Sequence, residues 1–234
     1  MHRPPISAIA SAIGALLMTV ASAAQAVPLN NAFVAEATLD TGLGGTTSAA
    51  RPELAATVEA DDVDSFSFGA LGITGTVQSR VTRETVAGTL DFYWRIKLDP
   101  TSTGGGVSAF RLIDFGYASL TDADWRIDGL GSAAPYIGRL FNPATAPDGA
   151  INFLFTDPAV QPGDSDGSRF FFLHTDATFF AKTASFNLLG SAGPGQLSAT
   201  YSTYAPAVPE PSSALLLGLG LAGTGLAGKR RRRS

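Results

Sequence analysis

His174 is the only histidine beyond His2 at the extreme N-terminus. Any imidazole chemistry of the folded chain therefore rests on it. Once the N-terminal segment that carries His2 is removed, a two-histidine metal site cannot form within one chain, and a Ser–His–Asp triad would have to use His174. No G-x-S-x-G turn surrounds any serine, so the usual frame of a serine nucleophile is missing. His174 closes a Phe-rich run, which makes a hydrogen-bonded histidine at a strand end the expectation. With no cysteine, thiolate nucleophiles, thiolate metal sites and disulfides are excluded. Asp164-Ser165-Asp166-Gly167 sets two carboxylates two residues apart, a spacing at which oxygen ligands converge on a hard cation. Asp164 and Asp166 are thus the calcium candidates, and calcium is the one cofactor the spacing admits. The third ligand position and distal Glu of an EF-hand are missing, and Asp-Gly after Pro-Gly is also ordinary turn chemistry. Asp61-Asp62-Val63-Asp64 and Asp122-Ala123-Asp124 read as solvated loop acids.

Glycosidase chemistry needs two carboxylates about 5–10 Å apart. Between Val27 and Val208 there are 19 acidic and 10 basic residues, so an acid pair at that separation would arise by chance. No catalytic residue is assigned on this ground. The net charge of −9 over that stretch disfavours nucleic acid as a partner. Tyr93, Trp94, Trp125 and Tyr136 have rings that could stack on sugars. Trp94 falls on the apolar face of its strand and belongs to the core; Trp125, between Asp124 and Arg126, is the better candidate for exposure.

The elements that must position these residues are strands. Leu90, Phe92, Trp94, Ile96 and Leu98 alternate with Asp91, Tyr93, Arg95 and Lys97, the period of two of a half-buried strand. Ile73–Val86, rich in Thr and Val, precedes it, and Ala87-Gly88 between them predicts a hairpin. Further strands are expected over Ala32–Leu39, Val63–Phe68, Ala109–Tyr117, Trp125–Ile127 and Ala150–Thr156. Arg169–Thr175 is apolar on both faces and should be central. Thr178–Ala181, Thr183–Leu189 and Leu197–Tyr204 complete the set. Many short strands with Gly and Pro breakers and no fixed repeat point to an all-β fold, a β-sandwich of Greek-key or jelly-roll-like type.

The two ends differ from this middle. Arg3, an uncharged run from Ile6 to Val20 and the small residues before Val27 have the order of a secretory signal peptide over residues 1–26. Signal peptidase and the Sec translocon are the implied partners. The ectodomain then spans 27–207. At the other end, Val208-Pro209-Glu210-Pro211 precedes 17 uncharged residues, Ser212–Gly228, and then Lys229, Arg230, Arg231, Arg232 and Arg233. An apolar span of this length is at the lower limit for a transmembrane helix. The basic block should remain cytoplasmic and act as a stop-transfer end.

Pro-Glu-Pro, a short apolar span and an Arg-rich end, in that order over 208–234, resemble the PEP-CTERM sorting signal of Gram-negative bacteria. The resemblance implies recognition by an exosortase, anchoring of the precursor in the inner membrane, cleavage near Pro209–Pro211, and release or transfer to the cell surface. It also implies a host that makes exopolysaccharide or biofilm matrix. The aromatic strand, Pro-Gly-Asp-Ser turn and apolar strand within 151–204 are similar to the ectodomains of such proteins. Three readings follow. The first is a non-enzymatic exported surface or matrix protein associated with exopolysaccharide. The second is a secreted polysaccharide hydrolase using paired carboxylates, which a deep acidic cleft would favour. The third is a calcium-stabilised adhesin.

Overall fold

The computed structural model describes residues 27–28, 38–69, 71–116, 120–141, 151–155, 160–162, 167–191 and 196–207. Residues Ala32–Ala37 of one expected strand, the calcium candidates Asp164 and Asp166, the signal peptide, the sorting motif and the basic end lie outside them. No helix among the described residues is long and apolar enough to cross a membrane.

Among the described residues, twelve strands form two sheets of six, and every pairing between named strands is antiparallel. They are β1 (Val27–Pro28), β2 (Thr38–Gly42), β3 (Ala56–Ser67), β4 (Thr74–Glu84), β5 (Leu90–Leu98), β6 (Val107–Ile113), β7 (Leu120–Trp125), β8 (Ile137–Phe141), β9 (Ile151–Leu154), β10 (Phe171–Thr175), β11 (Phe180–Gly190) and β12 (Tyr201–Pro206). Sheet A has the order β1-β7-β10-β5-β4-β3, and sheet B the order β12-β11-β6-β9-β8-β2. The chain crosses repeatedly between sheets, as in the expected sandwich.

Period-two alternation builds the core. Phe92, Trp94 and Ile96 of β5 and Phe171 and Leu173 of β10 point inward from sheet A and are fully or almost fully buried. Phe110, Phe153 and Phe186 meet them from sheet B. Trp94 lies 5.4 Å from Phe110 and 6.3 Å from Phe171, ring centre to ring centre. Its indole N–H donates to Thr203 Oγ1 at 2.9 Å, and that hydroxyl donates to Ser79 Oγ at 3.1 Å. This buried chain joins β12 of sheet B to β5 and β4 of sheet A, so the one polar group on the indole is satisfied. At one edge, Lys182 and Tyr204 of sheet B reach Asp62 of β3 at 3.0 and 2.6 Å. The Tyr204–Asp62 hydrogen bond pushes the Tyr204 hydroxyl up to about 12.

β5 has the expected bounds, and the β4–β5 hairpin closes through Gly88 at φ +74°. Several other expectations are corrected. β7 ends at Trp125 instead of starting there. The two segments around Lys182 are one strand, β11, with an irregularity between Ala181 and Ala184. β8 adds a strand to the expected set. The Asp61–Asp64 and Asp122–Asp124 acids are not loop residues: they sit on β3 and β7.

Candidate functional site

The outward residues of sheet A do not form a simple solvated face. The register aligns Thr82, Asp91, His174 and Asp122 in one row across β4, β5, β10 and β7. The next row is Arg80, Tyr93, Phe172 and Asp124. Residues 46–55 cross over one end of these rows. Thr46 exchanges backbone hydrogen bonds with Trp125 and Ile127, at 2.8 and 2.7 Å. A single 3₁₀ turn at Pro52–Leu54 then drops Leu54 onto Tyr93, Phe170 and Phe172, forming a second, smaller apolar cluster. The outward Asp91 and Tyr93, expected on a polar face, are consequently 0% and 4% exposed.

Beneath this cover lies a charged cluster. His174 Nδ1 is 2.5 Å from Asp91 Oδ1 and 3.3 Å from Glu84 Oε1. Arg51, also buried, holds Asp122 with two contacts of 3.2 Å and Glu53 at 2.7 Å. Burial pushes the carboxyls of Asp91 and Glu84 up; His174 opposes this in both. Burial alone would pull His174 down, but its hydrogen bond to Asp91 and the nearby carboxylates of Asp91, Asp122 and Glu84 lift it above its ordinary value. Glu84, Asp91 and His174 each offer one ligand atom, and the three lie within 4.8 Å of one another. His174 is a hydrogen-bonded residue near the end of β10, as its position in the sequence implied.

Beside the cluster, sharing Tyr93, an open groove of about 420 Å³ runs along β3, β4 and residues 126–130. Tyr93 and Phe170 line it as an edge-to-face pair, 6.3 Å between centres. The Arg80 guanidinium stands 4.9 Å from the Phe170 centroid and pairs with Asp61 at 2.7 Å. Arg126 pairs with Asp128 at 2.8 Å, and this bond holds the Asp128 carboxyl far below its ordinary range. Two buried polar atoms on these groove residues, Thr82 Oγ1 and Arg80 Nε, make no hydrogen bond. Two glycines outside the groove lining approach neighbouring backbone closely. Gly131 adopts φ +100°, and a Cβ there would run into the Ser168 carbonyl. Gly167, at φ +64°, approaches the Ile96 carbonyl in the same way.

The four aromatic residues singled out from the sequence do not share a platform. Trp94 is in the core, and Tyr93 lines the groove. Trp125 is half-buried with the Arg169 guanidinium 5.3 Å from its ring, and Tyr136 is 42% exposed. Of the acids, Asp61 bonds Gln78 and Arg80, Asp62 bonds Lys182 and Tyr204, and Asp124 accepts the amides of Gly45 and Trp125. Sequence reasoning missed Arg51, Arg80, Glu84, Arg126 and Phe170. The hairpin register could have set Arg80 beside Tyr93, but nothing local shows that residues 46–55 return to cover that face.

The fold and the outer-face site define a two-sheet β-sandwich with a polar groove. A family model of the PEP-CTERM protein-sorting motif matches residues 207–233. No curated protein and no solved structure matches the chain. The chain thus carries a PEP-CTERM sorting motif at its C-terminal end, which supports exosortase-dependent sorting to the cell exterior.

Proposed function

We propose that this chain is a non-enzymatic component of the extracellular matrix, held there by exopolysaccharide lying in the outer-face groove of sheet A. The observation that carries the reading is the groove's lining. It sets cationic forks from Arg80 and Arg126 over a base of Tyr93 and Phe170, which are 4% and 7% exposed. Convergent polar groups over an apolar base are the ordinary composition of a small-ligand site. The groove is open, and its one carboxylate, Asp128, is ion-paired. The neighbouring acid pair, Glu84 and Asp91, is 5% and 0% exposed, a poor position for reaching a glycosidic bond. These features favour binding over hydrolysis.

On this reading residues 1–26 are removed after translocation. Residues 212–228 hold the precursor in the inner membrane with Lys229–Arg233 inside, and cleavage near Pro209–Pro211 frees the sandwich. Fractionation of the host tests it. The wild-type chain is expected in the polysaccharide matrix, ending near Glu210 by mass spectrometry. A chain lacking 212–234 should be released without a membrane-associated precursor. Arg80→Gln combined with Arg126→Gln should be exported and cleaved normally, then lost to the culture fluid. A full-length precursor that never associates with membrane contradicts the sorting steps. Full matrix retention of the double variant contradicts the groove. New reducing ends in polysaccharide incubated with the wild-type protein would favour hydrolysis instead.

A further inference from the structure

We propose that Glu84, Asp91 and His174 form a binding site for a divalent cation of borderline softness, for which zinc is the probe. The site does not depend on the polysaccharide reading. Its ligands come from three adjacent strands: Glu84 ends β4, Asp91 lies near the start of β5, and His174 faces Asp91 across the β5–β10 register. One imidazole nitrogen and two carboxylate oxygens make a mixed N/O donor set that suits zinc or a neighbouring first-row ion better than calcium, which takes oxygen ligands.

The unsatisfied atom is the second observation. Glu84 is 5% exposed, and its Oε1 accepts no hydrogen bond. That oxygen stands 3.3 Å from His174 Nδ1, which already lies against Asp91. A buried carboxylate oxygen without a donor is costly. A cation among the three ligand atoms would satisfy it and replace the proton that His174 and Asp91 share.

Charge points the same way. Glu84 from β4, Asp91 from β5, Asp122 from β7 and Glu53 from the 3₁₀ turn are four carboxylates acting on this region. Facing them are one guanidinium, Arg51, and one imidazole. Even with His174 protonated the region is short of positive charge. Zinc bonds to nitrogen and oxygen are about 2.0–2.2 Å. Ligand atoms around it therefore stand more than about 3 Å apart, so His174 and Asp91 must separate slightly while Glu84 hardly moves. His174 retains 18% side-chain exposure, so the cluster is not sealed from solvent. Bound there, the ion would clip β4, β5 and β10 together at the covered end of the outer face.

The test uses the full chain, purified with chelator and titrated with zinc chloride by calorimetry and thermal melting. One ion per chain and a rise of several degrees in Tm are expected. Affinity should fall at least tenfold in Glu84→Gln, which keeps the side-chain shape, and in His174→Asn. Asp62→Asn, which alters an acid outside the cluster, should bind as wild type does. In nitrogen NMR of the wild-type protein, zinc should move the Nδ1 resonance of His174. If zinc leaves Tm unchanged, or binds Glu84→Gln as tightly as wild type with His174 unmoved, the site is refuted. Where His174→Asn is too unstable to titrate, Glu84→Gln and the Nδ1 resonance decide between these outcomes.

Discussion

Along β5, inward Phe92, Trp94 and Ile96 and outward Asp91, Tyr93 and Arg95 are neighbours in sequence, yet they meet different surroundings. The inward side chains meet sheet B in one apolar cluster. Their contribution scales with apolar area and is shared among many contacts, so the inner face explains the fold and says little about function. The outward side chains meet residues 46–55 at one end and a groove at the other. There, polar groups are removed from water and kept: Asp91 at 0%, Glu84 at 5%, Arg51 at 8% exposure. Buried charge of this kind is weak evidence for stability and better evidence for a site.

The largest break in this comparison is expected on the inner face. Trp94→Ala removes the largest fully buried side chain and leaves Thr203 without its indole donor, and should cost about 3–5 kcal/mol in chemical denaturation. On the outer face, Asp122→Asn takes the carboxylate from Arg51. A loss of about 1.5–3 kcal/mol is expected, as for a hydrogen bond to a charged group. Hydrogen exchange should then accelerate in residues 46–55 and stay slow in β5 and β10. Equal acceleration everywhere would mean that the two faces do not open separately.

The legible part of the fold follows the same division. β5 and its hairpin with β4 could be read because alternation there is strict over nine residues. Phe171–Leu173 read as central because β10 is covered on both faces. The reading failed where side chains serve distant partners. The Asp61–Asp64 run looks like a loop, but Asp61 is paired across the strands by Gln78 and Arg80, and Asp62 across the sheets by Lys182 and Tyr204. β8, five residues long with Gly138 inside it, carries too little alternation to stand out. The site was less legible than the fold. His174 could be placed as a hydrogen-bonded residue, but the partnership with Glu84 and Asp91 depends on register across three strands and on a loop that covers them.

A smaller effect separates the faces by pH. His174, Asp91 and Glu84 are all raised above their ordinary values in the folded chain. Their folded state holds protons more tightly than the unfolded one, so their contribution is full below the unfolded values and is lost as pH rises. For His174 the loss begins near its ordinary value of about 6.5. Without added metal, Tm should fall as pH rises above about 6.5 in the wild type and much less in His174→Asn. Parallel curves for the two proteins would remove the cluster from the pH response. The smallest effect belongs to exposed pairs. Arg139→Gln breaks the two-pronged contact with Asp40 and should cost no more than about 0.2–1 kcal/mol in denaturant.

The most direct measurement is the affinity of the purified exported protein for its host's exopolysaccharide, compared with that of Arg80→Gln. Arg80 makes a partly exposed ion pair with Asp61, so glutamine should cost no more than about 0.2–1 kcal/mol in stability. A groove that uses this guanidinium predicts weaker retention of Arg80→Gln in polysaccharide-containing gels at a nearly unchanged Tm. Undiminished retention of Arg80→Gln, alone and combined with Arg126→Gln, each with an intact fold, would contradict it.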